Sequence, residues 1–217
     1  MPQRLALFGS TGDTGGHTLR LALQDGLAVR AYARTPDKIP PELRAHERLE
    51  VVQGDFADAA AIQGAIEGAD FVISMGGNAP ASKKSHVMLA LSQHLVAGMR
   101  AHGVKRLVYQ AGAFSPAPGT QNPFFVRVVL RPLLGGAMGI SGMLADNDAL
   151  MQYLQDEATD LDWTVTRPGQ IKDLPSKCAL KPSEKLSGTC HFVDLARFSL
   201  DLAVSGEQRH RFPYLAY

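Results

Sequence analysis

Short apolar runs alternate with stretches of helical character through the first 110 residues, and this alternation constrains the fold more than any other feature. The runs occupy residues 5–8, 28–33, 49–53, 71–75 and 106–110. Helix-like stretches at 14–24, 58–67 and 82–102 lie between most of them. In the last of these, Val87, Leu91, Leu95 and Met99 recur four apart, which lays an apolar stripe along one helical face. The prolines from Pro36 to Pro41 argue against a long helix between the second and third runs, and Pro40-Pro41 marks a loop. Strands alternating with helices predict parallel β-α-β units with helices on both faces of one sheet. Right-handed crossovers close such units into a doubly wound α/β sheet.

The second half is less regular. A loop at 111–123 contains Pro116, Pro118 and Pro123, helical stretches follow at 124–134 and 142–157, a sixth strand at 163–167, and a late helix at 195–204 begun by Asp194. No composition shift or linker divides the chain, so residues 1–217 read as one domain whose portion from about 111 onward also builds a substrate pocket. A formal charge of +1 gives no reason to expect nucleic acid or an anionic membrane as partner. No apolar run approaches the roughly 20 residues that cross a bilayer, and the N-terminal residues lack a signal-peptide pattern, so a cytoplasmic protein is expected. Cys178 and Cys190 lack C-x-x-C spacing and read as reduced thiols. The seven histidines lack ligand spacing, so no metal site is expected.

Residues 9–16 read GSTGDTGG, with Gly9, Gly12 and Gly15 spaced G-x-x-G-x-x-G between the first strand and the first helix. Ligands of doubly wound sheets bind at the carboxyl ends of the strands, where the strand order reverses. Glycines there permit positive φ and let the backbone approach a pyrophosphate, which the helix N-terminus then binds. Thr11, Asp13 and Thr14 can add hydrogen bonds, provided the Asp13 carboxylate points away from the phosphates. The same spacing at Gly136, Gly139 and Gly142 follows no strand and reads as a loop flanking the pocket. Arg34 ends the second strand, where an arginine favours the 2′-phosphate of NADP, and Lys38 adds a second cation. NADPH is therefore expected over NADH. In Gly54-Asp55-Phe56, Asp55 either meets the adenine edge or caps the helix beginning near Asp58. Met75-Gly76-Gly77 offers backbone without bulk against the adenosine.

With Ala113-Phe114, residues 102–108 (HGVKRLV) and 163–169 (WTVTRPG), these motifs make the sequence resemble the atypical short-chain dehydrogenase/reductases. These are NAD(P)-binding proteins of Rossmann type, and the NmrA-like and NAD(P)H-flavin reductase/biliverdin reductase B group is the nearest picture. The resemblance spans nearly the whole chain, with its specific motifs concentrated before residue 115. It implies that Gly9, Thr11, Gly12, Asp13, Thr14 and Gly15 bind the pyrophosphate and that Arg34, assisted by Lys38, binds the 2′-phosphate. It also implies that Ala111-Gly112-Ala113-Phe114 and Pro168-Gly169 lie beside the nicotinamide.

The departures from the family carry as much information. Tyr32, Tyr109, Tyr153, Tyr214 and Tyr217 all lack a lysine four positions on, so the Tyr-x-x-x-Lys acid/base pair is missing. Gly112 and Gly169 stand where the flavin/biliverdin reductases carry a serine and a histidine. Without an assigned proton donor, the remaining chemistry is hydride transfer from NADPH to a planar acceptor, such as a flavin or quinone, that takes its proton from water. Phe114, Phe124, Phe125, Met138 and Met143 either line that acceptor's pocket, together with Gly169, or pack as ordinary core. His17 reads as a helix-surface residue. Gln110 and Ser115 are the nearest polar side chains, and neither is an acid. The alternative from another class is an NmrA-like regulatory protein that senses NADP(H) without turnover.

Overall fold

The computed structural model describes residues 2–76, 87–137, 139, 141–186 and 188–217. Six parallel strands form the central sheet: β1 (Arg4–Phe8), β2 (Ala28–Ala33), β3 (Leu49–Gln53), β4 (Phe71–Ser74), β5 (Arg106–Gln110) and β6 (Asp162–Thr166), in the order β3-β2-β1-β4-β5-β6. This is the doubly wound, Rossmann-type arrangement, and the strand order reverses beside β1. The strands read as apolar runs because both faces of the sheet are covered. In β1, Leu5 and Leu7 enter one core while Ala6 and Phe8 enter the other, and all four are fully buried.

Helices α1 (Asp13–Gln24) and α7 (Phe192–Ser205) pack together on the first face, with Leu19, Leu23 and Leu200 against Leu5, Leu7 and Ile73. On the other face lie α3 (Ala59–Ile66), α4 (Val87–His102) and α6 (Ser141–Glu157), with Ile62, Leu95 and Leu154 around Phe8 and Leu107. Each such side chain, fully buried, contributes about 1.5–3 kcal/mol. A buried carboxylate joins two of these helices. Asp146 of α6 accepts hydrogen bonds from Met88 N at 2.7 Å and Leu89 N at 3.0 Å, satisfying donors in the first turn of α4.

Several boundaries differ from the sequence-based expectation. β4 ends at Ser74, although Met75 N still bonds Phe8 O at 2.9 Å. The proline-rich stretch after β2 holds a 3-10 turn (Pro36–Lys38) and the single-turn α2 (Pro41–Arg44) rather than loop alone. The helix expected at 124–134 is widened into a π turn over Val126–Leu130 before α5 (Arg131–Ala137). Pro132 explains the widening, because its ring has no N–H to give and clashes with an ordinary i−4 carbonyl. The second glycine triplet is not the expected loop. Gly136 lies within α5 and Gly142 within α6, and Gly139, at φ +65°, makes the turn between them. The late helix begins at Phe192 rather than at residue 195, so Asp194 sits inside its first turn.

Four three-residue strands were not foreseen: β7 (Gln170–Lys172) pairs with β9 (Thr189–His191), and β8 (Lys181–Ser183) with β10 (Tyr214–Ala216). The segment leading into β10 runs along the outer side of β6. Val165 N bonds Arg211 O at 3.0 Å and Arg167 N bonds Pro213 O at 2.9 Å.

Candidate functional site

The glycine loop crosses from β1 to α1 at the carboxyl end of the sheet, and its three glycines do different work. Gly9 has φ +82°, and a Cβ there would lie 2.7 Å from Gly76 N. A Cβ on Gly15 would lie 2.0 Å from Gly9 O. Gly15 is demanded by the loop's own packing and Gly9 by the close approach of the β4 end. Gly12 is different: a Cβ there meets only Gly9 O, at 3.5 Å, an ordinary contact. Its backbone is extended (φ −85°) and it stands at the N-cap of α1, with Gly12 N bonded to Gly9 O at 3.1 Å. The first bond of the helix runs from Gly16 N to Gly12 O. The N–H groups of Asp13, Thr14 and Gly15 precede it and have no acceptor within the helix. These are the donors an anion would use.

A cleft of about 250 Å³ opens here, lined by Ser10, Thr11, Gly12 and Asp13 of the loop, His17 and Arg20 of α1, and Lys38. Asp173 and Phe192 close it from the C-terminal half. Lys38, expected beside Arg34, lines the same cleft as the loop, and half-buried His17 on α1 faces it too. Arg34 lies exposed at the end of β2, and its guanidinium makes no hydrogen bond or ion pair among the described residues.

At the next strand end, a Cβ on Gly54 would fall 2.1 Å from the Tyr32 hydroxyl. Tyr32 donates to Asp55 O at 2.8 Å, which fixes the turn carrying Asp55 and Phe56. Burial, with Asp58 and Asp55 nearby, pushes the Tyr32 hydroxyl up to about 12. Asp58, not Asp55, caps α3, through Ala61 N at 3.0 Å, whereas Asp55 accepts from Ala57 N within its own turn. The Phe56 ring lies against Gly76, where a Cβ would be 3.3 Å away. Met75, Gly76 and Phe56 therefore meet beside Gly9. Gly77 lies outside the described residues.

The segments expected at the nicotinamide end are adjacent. Ala111 N bonds Thr166 O at 2.9 Å and Ala113 N bonds Pro168 O at 3.1 Å. Ala111, Ala113 and Pro168 are buried, while Gly112, Phe114 and Gly169 are half-buried. Of the expected apolar pocket, Met143 is half-buried in α6 and Met138 lies outside the described residues. Phe124 and Phe125 are 72% and 59% exposed, so they belong neither to the core nor to a buried wall.

Among the described residues, the polar groups here are amides, hydroxyls, one buried phenol and the Arg167 guanidinium, which bonds Ser115 O. The Ser115 hydroxyl donates to Leu144 O at 3.3 Å. Tyr109 is buried, contacts Met88 Sδ at 3.4 Å, and has its pKa pushed well above the phenol range by burial. Gln110 Oε1 is buried without a partner among the described residues. Asn147 of α6, 7% exposed, places Nδ2 3.6 Å from where a Gly112 Cβ would stand. Sequence reasoning missed Asn147, Asp173 and Phe192, which come from distant segments without a local motif. Ser10, inside the loop motif, could have been found.

With this geometry in place, comparison with known proteins is direct. The NAD(P)H-binding family model matches residues 9–204. The chain belongs to that family. This bears out the NAD(P)-binding, Rossmann-type side of the resemblance drawn from the sequence. Among solved structures, a Veillonella parvula short-chain dehydrogenase/reductase in complex with NADP superposes with a TM-score of 0.77 at 16% identity, covering 100% of this chain and 95% of that one. An anaerobillin reductase from Escherichia coli O157:H7 gives 0.76 at 20% identity, over 98% and 96% of the two chains. A Burkholderia pseudomallei protein described as exported gives 0.78 at 25% identity, over 99% and 100%. A Mycobacterium tuberculosis 3 beta-hydroxysteroid dehydrogenase/Delta 5→4-isomerase is 32% identical over 131 residues, 55% of this chain and 34% of that protein. The chain thus matches about a third of that curated relative's length. No helix among the described residues is long and apolar enough to cross a membrane. Among the same residues, no group of three His, Cys, Asp or Glu side chains is placed to hold a metal ion.

Proposed function

We propose that this protein is an NADPH-dependent reductase that passes a hydride to a planar acceptor, a flavin or a quinone. The observation that carries the reading is the nicotinamide end. Amides at Gln110 and Asn147 stand beside a bare Gly112, and the nearby phenol of Tyr109 is buried and already in contact. Such a site suits an acceptor that needs no protein acid and draws its proton from water. The likeness to an anaerobillin reductase and to an NADP complex supports reduction and the phosphorylated cofactor.

NADPH, when bound, supplies the hydride, and this chain's residues hold and orient it. The loop Gly9, Thr11, Gly12, Thr14 and Gly15, with the open N–H groups of α1, takes the pyrophosphate, while Asp13 turns its carboxylate outward. Arg34 and Lys38 take the 2′-phosphate. Asp55, Phe56, Met75 and Gly76, followed by Gly77, form the adenosine side. Ala111, Gly112, Ala113 and Pro168 flank the nicotinamide, and Phe114, Gly169, Met138 and Met143 face the acceptor. This reading goes with a cytoplasmic location, as expected from the sequence.

The test is to follow NADPH oxidation by absorbance with FMN, riboflavin and a small quinone. Saturable turnover is expected with at least one of them. Tight NADPH binding without oxidation by any acceptor would instead identify an NADP(H)-sensing regulator. Arg34→Glu should weaken NADPH binding about 10- to 100-fold and leave NADH binding nearly unchanged, since one charge-assisted contact contributes about 1.5–3 kcal/mol. An unaltered cofactor preference would remove Arg34 from the 2′-phosphate site.

A further inference from the structure

None of the residues assigned above to the dinucleotide or its acceptor lines a second cleft, of about 860 Å³, although Arg167 in its wall directly precedes Pro168. Its walls include Arg167 at the end of β6, Arg209 and Arg211 of the segment that covers β6, Thr120, and Ser183 and Glu184 at the end of β8. The volume falls within the range of small-molecule sites and far exceeds a single phosphate.

Arg167 gives this cleft its character. The residue is 6% exposed, yet no carboxylate lies within ion-pair distance of it among the described residues. Its Nε donates to Phe212 O at 2.8 Å, its Nη1 to Ser115 O at 3.1 Å, and its guanidinium lies 3.8 Å above the centre of the Tyr214 ring. Nη2 has no carbonyl or carboxylate partner among the described residues, and beyond its two carbonyl bonds the guanidinium has only the neutral Tyr214 side chain within hydrogen-bonding reach. A buried cation compensated only by neutral groups is costly, and an anion supplied from outside offsets that cost. Burial accordingly pulls the Arg167 guanidinium below its ordinary pKa.

Arg106 makes the contrast. It is equally buried and also faces only neutral acceptors, but each of its nitrogens has one, at Leu202 O, Asp162 O, Glu207 O or the Thr164 hydroxyl, and none is left for a ligand. Arg167 instead borders open space that two further arginines share.

Those two arginines are presented by a built segment. Gln208 and His210 both hold left-handed backbone, at φ 55° and 54°, without being glycine. His210 is anchored on both sides, with its N bonded to Trp163 O at 2.7 Å and its Nε2 at 2.7 Å from Leu161 O. Arg211, exposed, makes no side-chain hydrogen bond among the described residues, while Arg209 donates its Nε to Gly206 O at 3.0 Å and reaches Asp162 at 3.4 Å, so both remain at the exposed rim. Against these three guanidinium groups the cleft sets one carboxylate, Glu184.

We propose that this cleft is a second binding site, for a phosphorylated small molecule, in which Arg167 makes the buried contact and Arg209 and Arg211 the outer ones. Guanidinium groups suit phosphate because their paired donors match its oxygens. The inference stands independently of the reductase reading.

Calorimetric titration of the full chain, saturated with NADP⁺, with inorganic pyrophosphate tests it. One saturable site per chain is expected. The paired substitution Arg209→Gln and Arg211→Gln, both at the exposed rim, should weaken pyrophosphate at least tenfold. It should leave NADP⁺ affinity unchanged. Glu184→Gln, which removes the opposing carboxylate, should tighten pyrophosphate binding. No saturable heat at millimolar pyrophosphate would overturn the proposal, as would a titration the arginine pair does not alter. Binding lost on Gly12→Ala instead would place the probe in the glycine loop, which also overturns it.

Discussion

Replacing Gly9 and Gly12 separately by alanine divides the two tasks of the glycine loop. In Gly9→Ala the new methyl group would sit 2.7 Å from Gly76 N and 2.7 Å from the Met75 carbonyl carbon, both backbone atoms of the neighbouring strand end. The residue also keeps φ near +82°, where a non-glycine residue costs about 1–2 kcal/mol. Relieving the overlap by shifting backbone adds about 1–3 kcal/mol. The sum of about 2–5 kcal/mol lowers the melting temperature by roughly 5–15 °C for a chain of this size. Gly12→Ala places its methyl group in ordinary contact at 3.5 Å with negative φ, so only the poorer N-cap, about 1 kcal/mol, is lost. Its methyl group does intrude on the open helix N-terminus, so NADPH affinity should fall tenfold or more while the fold survives. Thermal unfolding followed by circular dichroism and NADPH titration by fluorescence measure the two quantities. Equal stability of Gly9→Ala and the parent would refute the close approach of the β1 and β4 ends. Undiminished NADPH affinity in a folded Gly12→Ala would refute the phosphate cradle.

Other expectations concern buried polar groups. Asp146→Ala leaves two amides of α4 without their acceptor and should cost about 2–4 kcal/mol in urea denaturation, with Asp146→Asn intermediate. Burial raises the pKa of Asp194, but bonds from Lys177 N, the Ser176 and Tyr217 hydroxyls and Cys178 N outweigh it and hold the carboxylate below its ordinary range. The folded protein therefore binds fewer protons than the unfolded chain, so stability present above about pH 4 falls as the solution is acidified through the lowered value. Urea midpoints between about pH 3 and 6 should show this acid limb flattened in Asp194→Asn. Gly54→Ala must displace the Tyr32 hydroxyl, 2.1 Å from the new Cβ, and should cost about 1–3 kcal/mol while returning the phenol towards its ordinary titration range, read by ultraviolet difference spectroscopy.

The central sheet was legible because parallel strands covered on both faces leave unbroken apolar runs, and Leu5 to Phe8 is such a run. The glycine loop was legible because its spacing sits between a strand and a helix, and the failed copy at Gly136, Gly139 and Gly142 shows that spacing alone decides nothing. What could not be read comes from contacts across long separations. Asp146 serves amides 58 and 57 residues away. Asp173 and Phe192 reach the glycine loop from the far end of the chain. Arg167 was noticed only as part of a motif, since nothing local says that it is buried without a carboxylate. The strands β7 to β10 are three residues each, too short for any periodicity to register. Pro132 was visible, but the π turn it provokes depends on how the helix accommodates a missing donor.

The two margins of the sheet are unequal. At β6 the backbone donors of Val165 and Arg167 are taken by the chain's own residues 211 and 213, so a foreign strand finds no template there. At β3, the last strand in the order, the outer margin has no neighbouring strand among the described residues. Strand addition to the central sheet is therefore confined to its β3 side. On that side β3 is only five residues long and carries Glu50, whose charge discourages it.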